Sequence, residues 1–386
     1  MNEKNNLITS IELFFILVGC IIGMGVTSLP ADVVRIAKQD GWISTIIGGI
    51  YPLYIVLASG IIIKRHPNSN IMNLSKVYFG KIIGNVLNLL FMFTFLFYIV
   101  LVISGSSNQL RAYSIYFIPH FKMVMIFAVV ACYASIKGLK VLARFTTITF
   151  FLLCFIVVAS SVTFKSASIL NVKPFFGAGV SKILEGSLKT SFAYSNMELL
   201  LVIYPYVEDK KYILKAAYIS ALVVIFFHTW IVFTSIYFSG PDLVVKQLWP
   251  FSFVAESFKI PVINNFRYVE MVIWITIAYK TMSIEFYAAT KILNNITKIE
   301  RKTICFLLIP VIFIFPLFMG NEVTRREISG KIMPWIILFN ISYVTIIALL
   351  TLLIDKNDLR HIQKKQLESK LVYFVSYSLL KKRRNL

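Results

Sequence analysis

The chain has 386 residues, 58% of them hydrophobic and 15% charged, with a mean hydropathy of +0.77. That composition excludes a soluble globular domain, because apolar runs of about 20 residues recur from end to end, each able to cross a hydrocarbon core of about 30 Å. The net charge of +21 points to lysine and arginine on cytoplasmic loops rather than to a nucleic-acid partner.

Ten apolar segments read as helices, at about 8–29, 42–63, 83–106, 121–137, 141–162, 183–206, 212–238, 265–292, 303–320 and 334–354. The expected fold is an all-α polytopic membrane protein with ten transmembrane helices. Residues 1–354 form one transporter-like domain in this reading, and 355–386 a basic tail. The first segment lacks a small-residue cleavage site and reads as a retained helix, not a signal peptide. It contains Gly19, Gly23 and Gly25, with Pro30 close behind. Glycine and proline both weaken a helix. Backbone that opens at membrane depth is tolerated only where it is buried in protein or lines a cavity. Two readings stand for this stretch. It is a ligand site at an opened helix, or a small-residue packing face formed by Gly19 and Gly23.

An even number of spans puts both termini on one side. Lysine and arginine are in excess on that side, which predicts cytoplasmic termini. Trp42 and Trp335 begin helices at their outer ends, where interfacial anchors belong. Residues 239–264, rich in aromatics and proline, are expected on the outer surface, as a lid or as a plain interfacial loop. The tail carries Leu359, Ile362, Leu371, Phe374 and Leu379 among lysines. It reads as an amphipathic helix on the inner membrane surface, or as a docking element for a partner.

Chemistry-bearing motifs of enzymes are absent. There is no P-loop, HExxH, dinucleotide GxGxxG or nucleophile elbow. The four histidines are scattered, with only His228 inside a helix. Cys20, Cys132, Cys154 and Cys305 lie in apolar segments without metal or disulfide spacing and read as small core residues. The expectation is a protein that is not an enzyme and carries no cofactor or metal.

Ionisable groups inside helices carry more information, since burying them in a membrane calls for a partner or a wet cavity. The segment from Ile183 to Pro205 has a weakly apolar first half with Glu185 and Lys189, a small polar centre at Ser191–Asn196, and an apolar second half. It suits two half-helices around an open middle. Helices 1 and 6 are then interrupted at corresponding places in two five-helix halves, the pattern of an inverted-repeat binding site. Helix 8 adds Arg267, Glu270, Lys280 and Glu285. Arg267 and Glu270 are spaced to pair locally. Lys280 is expected either to pair with Glu198, or to snorkel or meet backbone carbonyls, leaving Glu198 facing a cavity alone. The polar run Ser104–Gln109 ends helix 3 near the outer mouth.

Several pieces match a known pattern in order. Gly23-Met-Gly-Val-Thr-Ser-Leu-Pro30 is followed by Ala37, then Asp40-Gly-Trp42. Ser191-Phe, Glu198 and Tyr204-Pro-Tyr-Val207 come next, then Arg267, Glu270 and Trp274. The chain thereby resembles the spore germinant receptor B-subunit family (GerAB/GerKB-like spore germination proteins), within the amino acid–polyamine–organocation transporter superfamily. It departs at Tyr194-Ser-Asn196, where that family often holds a Gly-containing turn. The resemblance implies a LeuT-type five-plus-five inverted repeat in the inner membrane of a spore. It also implies assembly with A and C subunits, and binding of a nutrient, typically an amino acid, that triggers germination.

Residue reading and resemblance together nominate a substrate site at Gly23, Met24, Gly25, Val26 and Thr27 with Phe192, Ala193, Tyr194, Ser195 and Asn196. Glu198, Lys280, Glu270 and Arg267 are the coupling or ion-pair candidates. The rival functions are a proton-coupled amino-acid permease and a structural subunit whose pocket is a vestige.

Overall fold

In the computed structural model, residues 7–258 and 265–354 are described. Helix α1 (Ser10–Ile21) begins with a reciprocal cap. The Glu12 N–H donates to the Thr9 hydroxyl at 3.2 Å and the Thr9 N–H donates to the Glu12 carboxylate at 2.8 Å. The backbone turns extended at Ile22 (φ −77°, ψ 97°), and helical geometry resumes in α2 (Gly25–Ala37). Helices α3 (Gly41–Gly48) and α4 (Ile50–Arg65) follow almost without a gap. Helix α5 (Ile71–Tyr113) bends at Gly80, whose φ of 77° needs a residue without Cβ. Next come α6 (His120–Lys137) and α7 (Leu139–Ser160).

The region 180–203 is fragmented into α8 (Val180–Leu188), α9 (Ser191–Tyr194) and α10 (Leu199–Ile203). Helix α11 (Ile213–Ser239) leads to two short helices, α12 (Pro241–Lys246) and α13 (Pro250–Glu256). Helices α14 (Phe266–Thr297), α15 (Arg301–Phe318) and α16 (Glu322–Leu353) complete the described chain. Helix α14 packs along α5, and α1 is enclosed by α7, α11 and α14. These contacts bury the whole second half of α1, from Ile16 to Ile21.

The expected count of ten spans is corrected. Among the described residues, seven helical stretches are long and apolar enough to cross a membrane: Gly25–Arg65, Ile71–Tyr113, His120–Lys137, Leu139–Lys165, Lys210–Ser239, Arg301–Phe318 and Glu322–Leu353. Three physical reasons account for the difference. Helix α1 stops after 12 residues, α8 to α10 are each nine residues or fewer, and α14 carries Lys280 and Glu285 in its middle. The LeuT-type five-plus-five repeat presupposed ten spans and falls with that count. The protein is an all-α, largely membrane-spanning molecule with about seven apolar helices.

Asp40, of the Asp-Gly-Trp piece, is fully buried. Its two carboxylate oxygens accept the N–H groups of Phe176 and Ala178, both at 2.9 Å, and pin the 173–179 loop. The polar run 104–109 lies inside α5, which continues to Tyr113. Within 239–258 the chain forms α12 and α13, and Phe251, Ser252, Val254 and Ala255 of α13 are buried, not spread on the surface. Residues 259–264 and the basic tail 355–386 lie outside the described residues.

Candidate functional site

Two openings of the backbone meet. The first is the turn at 22–24 between α1 and α2; the second is residues 195–198 between α9 and α10. A Cβ built at Gly25 would lie 3.1 Å from both the Ala193 Cα and the Phe192 ring. The two segments therefore touch through a position that only glycine fills without displacement. The Cys20 thiol donates to the Asn196 carbonyl at 3.5 Å, a second link between them. Asn196 itself has φ +86°, sparsely populated for a residue with a side chain and tolerated best by Asn and Asp.

The orphan carbonyls at the end of α1 are met by α14. Lys280 Nζ donates to the Gly19 carbonyl and, at 2.9 Å, to the Ile22 carbonyl. The Thr281 hydroxyl reaches the same two oxygens at 3.1 and 3.3 Å. Thr281 also sits where a Cβ on Gly23 would come within 3.0 Å. Helix termini need such partners when they are buried, and an ammonium suits the negative end of a helix dipole. Gly19 packs differently. A Cβ there would lie 2.8 Å from the Thr146 side chain of α7, so this glycine serves close helix approach.

Glu198 is fully buried and, among the described residues, meets no lysine. Its Oε1 accepts from the Tyr51 hydroxyl and, at 2.8 Å, from Asn340 Nδ2, which also donates to the Tyr98 hydroxyl at 3.1 Å. Glu285, buried on α14, accepts from Asn196 Nδ2 at 2.9 Å. Of the two alternatives for Lys280, the geometry takes the carbonyl one, because an opened helix supplies acceptors closer than any carboxylate.

Gly23, Met24, Gly25, Val26 and Thr27 are all buried at the first opening, as are Ala193, Ser195 and Asn196 at the second, with Phe192 half-buried. Tyr194 turns away. Its hydroxyl donates to the Thr45 carbonyl at 2.8 Å, and its ring stacks edge-on against His228 at 4.7 Å. Above Phe192, the buried Arg325 guanidinium lies 5.8 Å from the ring and holds Glu322 through two bonds at 2.8 and 2.5 Å. Arg326 extends this cluster to Asp32 of α2 at 3.5 Å.

Arg267 and Glu270 are not brought to the break. Arg267 pairs with Glu256 and lies 4.9 Å over the Tyr113 ring. Glu270 accepts from Ser252, which accepts from Gln109, at 2.9 and 3.0 Å. Thirteen residues of helix separate Arg267 from Lys280, about 20 Å of rise. Tyr51, Tyr98, Thr281 and Asn340 are residues around the openings that sequence reasoning did not select, and Glu285 was singled out on helix 8 without being nominated for the site. Glu285 and Asn340 carry a signal, a lone polar side chain inside an apolar run; the tyrosines carry none. Among the described residues, no group of three or more His, Cys, Asp or Glu is arranged to hold a metal ion.

A family model described as "Spore germination protein" matches residues 7–324. The chain belongs to this spore germination family. Spore germination protein YndE of Bacillus subtilis (strain 168) is 24% identical over 328 residues, 83% of this chain and 90% of the relative. Spore germination protein A2 of the same organism is 23% identical over 342 residues, 84% and 92% of the two chains. GerQB of Bacillus cereus is 21% identical over 320 residues, 80% and 86%. The matched region takes in both openings and α14, and reaches the start of α16. The protein is thus a membrane-embedded member of the spore germination family.

Proposed function

We propose that the chain is the nutrient-sensing membrane subunit of a germination receptor, binding a small zwitterion, an amino acid, where Gly23–Thr27 faces Phe192–Asn196. The observation that carries this reading is the contact of the two opened stretches through Gly25, 3.1 Å from Ala193 and Phe192 for an added Cβ. The N–H groups of Val26 and Thr27 already donate to the Gly23 and Met24 carbonyls at 3.2 and 3.3 Å, so it is the positive end of the α2 dipole that favours a carboxylate there. Phe192 and the Arg325 guanidinium above it close the site from one side. Occupancy then shifts the population between conformations, provided the ligand binds one of them more tightly.

Assembly with A- and C-type subunits rests on the family resemblance. In this reading residues 1–354 act as one domain, and both termini are cytoplasmic. The test is Gly25→Leu in spores. The nutrient response is expected to vanish while the amount of protein stays normal, and a retained dose-response would overturn the site.

A proton-coupled amino-acid permease is the second reading, favoured by Glu198, which is buried among tyrosine and asparagine donors and has no counter-cation among the described residues. Uptake of a labelled amino acid into proteoliposomes by this chain alone supports the permease. Strict dependence on co-expressed partner subunits supports the receptor.

A further inference from the structure

Four buried oxygens between α10, α14 and α16 have no hydrogen-bond partner among the described residues: Glu198 Oε2, Glu285 Oε2, Asn196 Oδ1 and Asn340 Oδ1. Their residues are 0–4% exposed. Asn196 and Glu198 are two residues apart in the second opening, and each is bonded to one of the other two. Asn196 Nδ2 donates to Glu285 and Asn340 Nδ2 donates to Glu198, at 2.9 and 2.8 Å. Cys20 is within electrostatic reach of both carboxylates, and so is Tyr98. Every unpartnered atom in this set is an acceptor. The amide orientations follow from the carboxylates, because only the NH2 side of each asparagine can donate to them.

The charges do not balance either. The groups facing the two carboxylates are Tyr51, Tyr98, Cys20 and Lys280. Lys280 is the one cation among them; bonded to the neutral Gly19 and Ile22 carbonyls, it keeps its single positive charge, so two carboxylates face one ammonium. Among the described residues, neither carboxylate belongs to an ion pair. An isolated buried carboxylate is costly, and so is each buried acceptor without a donor. A proton on one carboxyl supplies a single O–H donor: it removes one charge and satisfies one asparagine oxygen, but leaves the other carboxylate charged and the other asparagine oxygen without a donor. One small cation held among several oxygens in place of its hydration shell answers both deficits.

We propose that Glu198, Glu285, Asn196 and Asn340 form a binding site for one small monovalent cation, an alkali ion or a primary ammonium group. The site is separate from the carbonyls of α1, which Lys280 already occupies. It stands on these oxygens alone and does not require the nutrient reading.

The test uses the purified full chain in lipid nanodiscs. Its unfolding temperature is followed in NaCl, KCl or methylammonium chloride, each replaced by choline chloride at constant ionic strength. A saturable rise is expected with a small cation and not with choline. Glu285→Gln is expected to weaken the apparent affinity at least about tenfold, the equivalent of 1.4 kcal/mol. A rise with Na+ or K+ assigns the site to a free ion; a rise with methylammonium alone assigns it to the amino group of an organic ligand. Equal melting in all salts, or the same rise in Glu285→Gln, overturns the proposal. Binding of ²²Na+ and of ¹⁴C-methylammonium to the unaltered chain, competed by the unlabelled ion and not by choline, keeps the test decisive if the variant does not fold. Absence of competable binding for both probes overturns it.

Discussion

The donors around Glu198 give a coupling energy that can be worked out and measured. Asn340→Ala removes the Nδ2 group that donates to Glu198 at 2.8 Å and to Tyr98 at 3.1 Å. A hydrogen bond to a charged group contributes about 1.5–3 kcal/mol and a neutral one about 0.5–1.5 kcal/mol. Interhelical polar contacts within membranes average nearer 0.6 kcal/mol and reach about 1.7 kcal/mol, which sets the lower figure as the realistic scale for a neutral pair. Asn340→Ala is therefore expected to cost about 2 kcal/mol beside Glu198, and about 0.6 kcal/mol when Glu198→Gln is already present. The difference, a coupling of about 1.4 kcal/mol, is read from a double-mutant cycle on reversible unfolding in mixed micelles. Strict additivity, with a coupling under about 0.3 kcal/mol, would refute a charged Glu198 held by Asn340.

Gly25→Ala places a Cβ 3.1 Å from the Ala193 backbone and the Phe192 ring. The ring can yield and the backbone less so, so a cost of about 1 kcal/mol is expected, which shifts a nutrient dose-response about fivefold, while Gly25→Leu abolishes it. Lys280 and Thr281 donate to the same carbonyls, so either one covers for the other. Lys280→Met with Thr281→Val is expected to destabilise by about 1 kcal/mol more than the sum of the single changes, read from unfolding of all three variants. Asp209 accepts from the Ser10 hydroxyl and N–H at 2.5 and 2.7 Å, and the hydroxyl bond is the larger cause holding its carboxyl below the usual range. A depressed carboxyl stabilises the fold above its unfolded value and loses that contribution as pH falls through the folded one. Below about pH 4 the parent should therefore lose stability more steeply than Asp209→Asn, measured as unfolding temperature against pH.

The two backbone openings were legible because glycine, proline and polar residues are conspicuous inside apolar runs. Gly23 and Gly25 mark where helical geometry lapses at 22–24, while Gly19 stays inside α1, and Ser191–Asn196 marks the second lapse. The count of spans was not legible for the same reason. A stretch apolar enough to score as one helix holds no information on whether its parts stay helical, and α1 with α8 to α10 are too short to span alone. Lys280 illustrates the limit for charges. Sequence shows that a buried lysine needs acceptors, yet whether they are carboxylate or carbonyl depends on which helix ends beside it. Glu285 and Asn340 each announce a polar demand, but their partners come from α9–α10 and α10, far away in the chain. Tyr51 and Tyr98 are two of 19 tyrosines, with nothing local to single them out.

The central claim is that an amino acid binds at the contact of the two openings. The most direct measurement is equilibrium binding of a panel of radiolabelled L-amino acids to the purified full chain in nanodiscs, for the parent and for Gly25→Leu, with both shown folded by their melting curves. Saturable binding of at least one amino acid by the parent, and its loss in the variant, is the predicted result. No binding by the parent, or undiminished binding by the variant, would contradict the account.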